Sequence, residues 1–283
     1  MRKILITGAN GMLAKAVRER FKKEELICTD VEELDITSLE QVEKLVEKEK
    51  PEYIINCAAF TAVDKAEECY DIAEKINADG PRNLAIAAEK NGATLVHIST
   101  DYVFDGDLDV SKSYTEQDKT APVTVYGITK RHGEEAVEQN CKKYYIFRTA
   151  WLYGDGNNFI RTMLKLGKEK EEVSVVNDQH GSPTYSVDLA NIIYQAIEKK
   201  IPYGIYHATN QEFTTWYELT KKIYEIENLS CRVKPVTSEE FVRPAKRPKN
   251  SMLSKEKLLA QGIQIPNWED AVRRYLDEEK RRV

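Results

Sequence analysis

"ILITGANGMLA", residues 4–14, runs from a β-branched apolar stretch through Gly8-x-x-Gly11-x-x-Ala14 into a segment of helical period. A strand that turns on glycine into a helix brings backbone N–H groups and the positive helix end to one point, where they suit a pyrophosphate. The spacing differs from the Gly-x-Gly-x-x-Gly of ordinary dinucleotide folds, but alanine in the third place still permits close strand-helix packing. The plainer alternative is a simple strand-to-helix turn with Asn10 as its N-cap. Asp30 argues against that alternative: it ends the next strand-like run, about twenty residues on, where an acid accepts adenosine ribose hydroxyls. Lys15 and Arg18 lie near enough in sequence to leave room for a 2′-phosphate, so both NADH and NADPH stay open.

Further strand-like runs follow at intervals: "LICTD" (26–30), "YIINCAA" (53–59), "TLVHIST" (94–100) and "YYIFRTA" (144–150). Segments of helical period fill the gaps at 10–22, 38–49, 62–91 (broken near Gly80-Pro81) and 126–140. Strands alternating with helices predict right-handed crossovers and an α/β, doubly wound parallel sheet of Rossmann type. After Ala150 the rhythm loosens into a helix at 157–168, a strand at 173–178 and a helix at 187–200. "GIYHAT" (204–209) and helices near 214–226 and 267–281 follow, separated by "RPAKRPKNS" (243–251). The expected division is a dinucleotide-binding domain over 1–151, with a return of about 174–203. A smaller C-terminal substrate lobe, about 152–173 and 204–283, would close over the carboxyl edge of the sheet.

Composition narrows the function classes. The 283 residues are 41% apolar and 31% charged, as in ordinary soluble globular proteins, and the net charge of -5 comes without a basic stripe for nucleic acid. Five scattered cysteines without a C-x-x-C spacing predict free thiols in a reducing compartment, and neither they nor the four histidines suggest a metal. The basic start and apolar run resemble a secretory leader, but the run breaks after Thr7. No stretch approaches the roughly 18 apolar residues of a membrane span, so a cytoplasmic protein is expected.

The loops after the third and fourth strands share the sheet edge with the glycine turn. Ala58 and Ala59 are small enough for a flat cofactor to approach, and Thr100 and Asp101 offer a hydroxyl and a carboxylate where substrate would meet nicotinamide. Thr100 also suits a plain strand cap. Tyr126 then opens a helix with Lys130 on the same face. With 15 tyrosines and 28 lysines, chance supplies about one or two Tyr-x-x-x-Lys matches. The chain has two, and the second, Tyr217 with Lys221, reads as a solvated helix face in the C-terminal part.

The order T-G-x-x-G-x-x-[GA], then Thr100 after the fourth strand, then Y-x-x-x-K resembles the extended short-chain dehydrogenases/reductases. Within them, "NCAAFTAVDKAE", "STDYVFDG", "RTAWLYG", "GSPTYSVDLA" and "RPKNSML" are similar to the dTDP-4-dehydrorhamnose reductase family, over nearly the whole chain. Ala14 in the third glycine place, Phe60 where relatives often carry histidine, and "KRHGEE" after the helix start depart from its pattern.

The resemblance implies NADPH or NADH as reductant of the C4 ketone of a nucleotide sugar, dTDP-4-dehydro-L-rhamnose. Tyr126 would supply the proton, Lys130 together with the cofactor's charge would lower the phenol's pKa, Lys130 would also bond the nicotinamide ribose, and Thr100 would hydrogen-bond the reacting oxygen. Expected cofactor contacts are Gly8, Asn10, Gly11, Met12, Leu13, Asp30, Asp35, Ile36, Ala58, Ala59 and Thr61, with Tyr126 and Lys130. Thr100, Asp101, Trp151 and Arg247 are expected on the substrate. Trp151 suits a sugar pocket and a place between lobes equally, and Arg247 suits a diphosphate or a basic surface loop. Two rival readings are an NDP-sugar epimerase or dehydratase that holds NAD tightly, and a regulatory subunit resembling the methionine adenosyltransferase β-subunit. A homodimer stays open.

Overall fold

The computed structural model describes residues 1–281. Twelve strands occur among them: β1 (Lys3–Thr7), β2 (Glu25–Thr29), β3 (Tyr53–Asn56), β4 (Thr94–Thr100), β5 (Tyr144–Thr149), β6 (Leu152–Tyr153), β7 (Glu172–Val176), β8 (His180–Gly181), β9 (Thr184–Tyr185), β10 (Gly204–His207), β11 (Thr214–Thr215) and β12 (Arg232–Val236). The α-helices are α1 (Met12–Arg20), α2 (Leu39–Glu49), α3 (Val63–Ala66), α4 (Tyr70–Glu74), α5 (Gly80–Asn91), α6 (Val125–Asn140), α7 (Phe159–Glu169), α8 (Ser186–Lys199), α9 (Trp216–Glu227), α10 (Glu256–Ala260) and α11 (Trp268–Arg281).

Six strands form one parallel sheet in the order β10-β5-β4-β3-β1-β2. Alternate residues of each strand serve opposite faces. Ile4 and Ile6 join Val96 and Phe147 under α1 and α8, whereas Leu5 joins Ile54, Leu95 and Ile146 under α2, α5 and α6. Both faces are covered, which is why these strands read as continuous apolar runs. The chain leaves β1 for β2 on one side and returns to β3 on the other. The crevice between the carboxyl ends of β1 and β3 is thus the switch point at which doubly wound sheets bind ligands.

Three features differ from the sequence-based expectation. "GIYHAT", assigned to the substrate lobe, contributes β10 to the edge of the main sheet beside β5. The strand expected at 173–178 lies outside that sheet and pairs in parallel with β12. Neither strand's own pattern says which edge it will join, because parallel partners are distant in sequence. The third difference is the break expected at Gly80-Pro81. The chain there is continuously helical from α4 through a π-helical turn, Lys75–Asp79, into α5, and the interruption falls instead at 67–69. Pro81 lacks the N–H that would bond the Asn77 carbonyl, so the widened turn accommodates it. That carbonyl points at α6, where a Cβ on Gly133 would come within 2.1 Å of it.

A third apolar cluster, with Tyr153, Tyr185, Leu219, Trp268 and Tyr275, packs α7, α9 and α11 together. No helix among the described residues is long and apolar enough to cross a membrane. The five cysteines are unpaired.

Candidate active site

Gly8 holds the first turn in a left-handed conformation, φ +63°, and a Cβ there would lie 2.7 Å from the Ala58 backbone. Only glycine lets β1 and the loop after β3 approach so closely. Gly11, not Asn10, is the N-cap of α1, and no side chain caps that end. Asn10 is instead tied by its backbone N–H to the Asp30 carboxylate at 2.9 Å, which anchors the end of β2 to the turn. The first-turn N–H groups of α1 thus lack a side-chain acceptor, and a close-packed glycine cradle faces them. This arrangement fits a dinucleotide diphosphate, with Asp30 beside it for a ribose.

A cleft of about 460 Å³ opens at this edge, lined by Gly11, Met12, Leu13, Ala58, Ala59, Thr61, Thr100, Asp101, Tyr126, Lys130 and Trp151, along with Asn56 and Tyr102. Eleven of the expected site residues therefore share one wall. Six others lie outside the lining: Gly8, Asn10 and Asp30 in and beside the turn, and Asp35, Ile36 and Arg247. Asp35 accepts the backbone N–H and hydroxyl of Thr37 at 2.9 and 2.8 Å. The Ile36 side chain belongs to the core under α2 and α5, and its carbonyl accepts the Asn83 side chain at 3.0 Å. Arg247 forms an ion pair with Asp64 at 2.8 Å, rather than standing free in a surface loop.

Thr124 caps α6 by accepting the Gly127 N–H at 3.1 Å, which puts Tyr126 in the first turn. Tyr126, Lys130 and Glu134 follow at intervals of four, on the face that meets β4 and β5. Thr100 ends β4, where it both accepts the Tyr102 N–H at 3.2 Å and donates to Asp101 Oδ1 at 2.9 Å. It is therefore a cap and a cleft residue at once. Asp101 also receives the Ser251 hydroxyl. Burial pushes its carboxyl up to about 6, against the pull of those two hydroxyls.

Burial pushes the Tyr126 phenol up to about 12, opposed by a hydrogen bond with Thr100. Lys130 Nζ turns to the sheet, donating to the Ile98 carbonyl at 2.6 Å and facing His97 Nε2 at 3.5 Å. Burial in turn pushes Lys130 down to about 8.

Trp151, at φ +50°, stacks on Trp216 with ring centroids 3.7 Å apart while lining the cleft, and it is half-buried there. Tyr217 and Lys221 lie outside the cleft lining on a half-exposed helix face, Lys221 paired with Glu218 at 3.2 Å.

Sequence reasoning missed Asn56, Trp216, Ser251 and the fully buried Glu134, which receives Arg148 Nε and Nη2 at 2.8 Å each. Burial raises the Glu134 carboxyl, and the two Arg148 hydrogen bonds hold it below its ordinary value. For Asn56 and Glu134 the available signal was a polar residue in an apolar strand, Asn56 in "YIIN" and Glu134's partner Arg148 in "IFRT", since a buried polar group demands a partner.

The chain matches the RmlD substrate binding domain family over residues 1–281. A dTDP-4-dehydrorhamnose reductase of Aggregatibacter actinomycetemcomitans is 38% identical, the match covering 96% of this chain and 98% of that one. The crystal structure of a dTDP-4-dehydrorhamnose reductase from Clostridium acetobutylicum superposes with a TM-score of 0.95 at 48% identity, covering 98% and 99% of the two chains. That of the Bacillus anthracis reductase, in complex with NADP, gives 0.93 at 44% identity, again over 98% and 99%.

Proposed function

The chain belongs to the RmlD substrate binding domain family, and from that membership we propose that it reduces the C4 ketone of dTDP-4-dehydro-L-rhamnose to dTDP-L-rhamnose with NADPH or NADH. The observation that carries the reading is the gathering of the glycine turn, Thr100, Tyr126 and Lys130 around one cleft. A reduced nicotinamide, when bound, supplies the hydride.

The chain's own residues do the rest. First-turn N–H groups of α1 face the diphosphate, Asp30 takes the adenosine ribose, and Ala58 and Ala59 leave room for a flat ring. Lys130 offers a donor to the nicotinamide ribose and so fixes its position. Tyr126 and Thr100 address the C4 oxygen, which gains negative charge during reduction. A phenol pushed up to about 12 is protonated at neutral pH, the form that a proton donor needs. Burial, which would hinder a tyrosinate base, favours this direction. Trp151, backed by Trp216, walls the sugar side, Asp101 accepts a sugar hydroxyl, and Arg247, now paired with Asp64, is the candidate for the substrate's diphosphate.

Under this reading most of residues 1–151, together with α8 and β10, hold the cofactor, and the cluster of α7, α9 and α11 carries the substrate side. Free thiols fit a reducing cytoplasm. The test is to add dTDP-4-dehydro-L-rhamnose to the purified protein with NADPH and NADH in parallel, following the reduced-cofactor absorbance. Substrate-dependent decay with at least one cofactor is expected, and none with either overturns the reading.

A further inference from the structure

Behind the cleft lies a row of buried polar groups, Thr7, Asn56 and His97, each 1% exposed or less. The reduction as described above makes no use of them. The Asn56 amide has only one workable orientation. Its Oδ1 accepts the Ala58 backbone N–H at 3.1 Å and the Thr7 hydroxyl at 2.7 Å. Nδ2, a pure donor, is therefore the atom 3.1 Å from His97 Nδ1. Nδ1 must accept, so a neutral His97 carries its proton on Nε2. That N–H faces Lys130 Nζ at 3.5 Å, while Nζ donates to the Ile98 carbonyl at 2.6 Å. An ammonium has three N–H donors and no lone pair, so here it meets another donor. An amine keeps one N–H for Ile98 and one for the cleft, and turns its lone pair to His97.

We propose that His97, locked as its Nε2–H tautomer by Asn56 and Thr7, is a positioning residue that lets Lys130 readily lose and regain a proton. The proton passes between Nζ and water in the cleft, and His97 keeps its own throughout. The proposal deepens the reductase reading and rests on it for its catalytic meaning: near pH 8 the ammonium and amine forms of Lys130 are both populated, so the lysine exchanges a proton with the cleft without a large energetic step.

The surroundings agree. Burial, aided by Lys130, holds His97 well below its ordinary value and so neutral. Burial likewise pushes Lys130 down to about 8, against Glu134 and Cys57. Glu134 is committed to Arg148, and burial pushes the Cys57 thiol up to about 12, leaving it uncharged. Tyr126, one turn away, is uncharged too. No free carboxylate faces Lys130 to hold its charge.

The test is nuclear magnetic resonance on labelled, cofactor-free protein. Long-range proton-nitrogen spectra should show His97 protonated at Nε2 and bare at Nδ1, unchanged from pH 5 to 9, with the Lys130 side chain titrating near 8 (about two units below a free lysine). Asn56→Asp keeps acceptors for Ala58 and Thr7 but puts one opposite Nδ1. It should invert the His97 tautomer and raise the Lys130 midpoint by about one unit or more. His97→Met, which removes the donor, should raise it by less. An Nδ1–H tautomer in the wild-type protein, or a Lys130 midpoint unmoved by Asn56→Asp, overturns the proposal. The wild-type spectrum decides even where a variant does not fold. Failure of the reductase reading would appear separately, as absent cofactor oxidation with these spectra intact.

Discussion

Lys130 is a cation folded into the interior, 2% exposed, and that has a cost which depends on pH. Its pKa in the fold, about 8, is below the ordinary 10.5, so below pH 8 the folded chain must bury a full charge. Between the two values the native state has shed the proton while the unfolded chain still binds it, and stability from this group rises with pH. Lys130→Met removes the penalty. It should abolish reduction yet unfold at higher urea than wild type at pH 7, by about 1–3 kcal/mol. The advantage should shrink as pH rises from 8 toward 10.5. Urea titrations at pH 7, 8, 9 and 10 check this, and an advantage flat in pH would refute the burial penalty. Among single residues much was legible. Tyr126 and Lys130 stood out by position, not by their letters. The direction of the Tyr126 shift was not legible, because it is set first by how deeply the phenol is buried, and a sequence does not carry that.

α6 bears Tyr126 and Lys130, and its seating depends on a partner helix with a defect. Pro81 frees the Asn77 carbonyl, the π-helical turn widens, and the carbonyl lodges against Gly133. The Asn77 side chain then bonds the Phe60 backbone at 2.8 Å and Thr129 at 3.1 Å, fixing the loop after β3 to the same helix. Gly133→Ala would drive a methyl into that carbonyl. We expect a loss of about 1–3 kcal/mol in stability and a fall in turnover, since α6 must shift and Tyr126 with it. Thermal unfolding and cofactor oxidation measured on one preparation test this, and a wild-type melting temperature would rule out the role given to the turn. The alternation of strands and helices in the first half was readable from apolar runs and breakers. The break at Gly80-Pro81 was misread because a proline usually ends or opens a helix, whereas here a π-turn absorbs it.

Across the whole molecule, the C-terminal residues reach back to the sheet. Arg274 on α11 donates to both oxygens of Asp188 on α8, at 3.0 and 2.7 Å, and Asn210, just after β10, donates to the same carboxylate at 2.7 Å. Ser251 does the same for Asp101 at the cleft. These contacts join residues far apart in sequence, and no local pattern announces them. That also explains why β10 was placed with the wrong part of the chain. The general architecture and the cleft followed from a few short motifs and their order along the chain. If Tyr126 in this cleft, rather than the other Tyr-Lys pair, donates the proton to the ketosugar, two variants must behave differently. The rate of NADPH or NADH oxidation with dTDP-4-dehydro-L-rhamnose, compared for wild type, Tyr126→Phe and Tyr217→Phe, separates them. Tyr126→Phe should lose about two or more orders of magnitude, while Tyr217→Phe should match wild type. Normal turnover by Tyr126→Phe would mean that the proton comes from elsewhere.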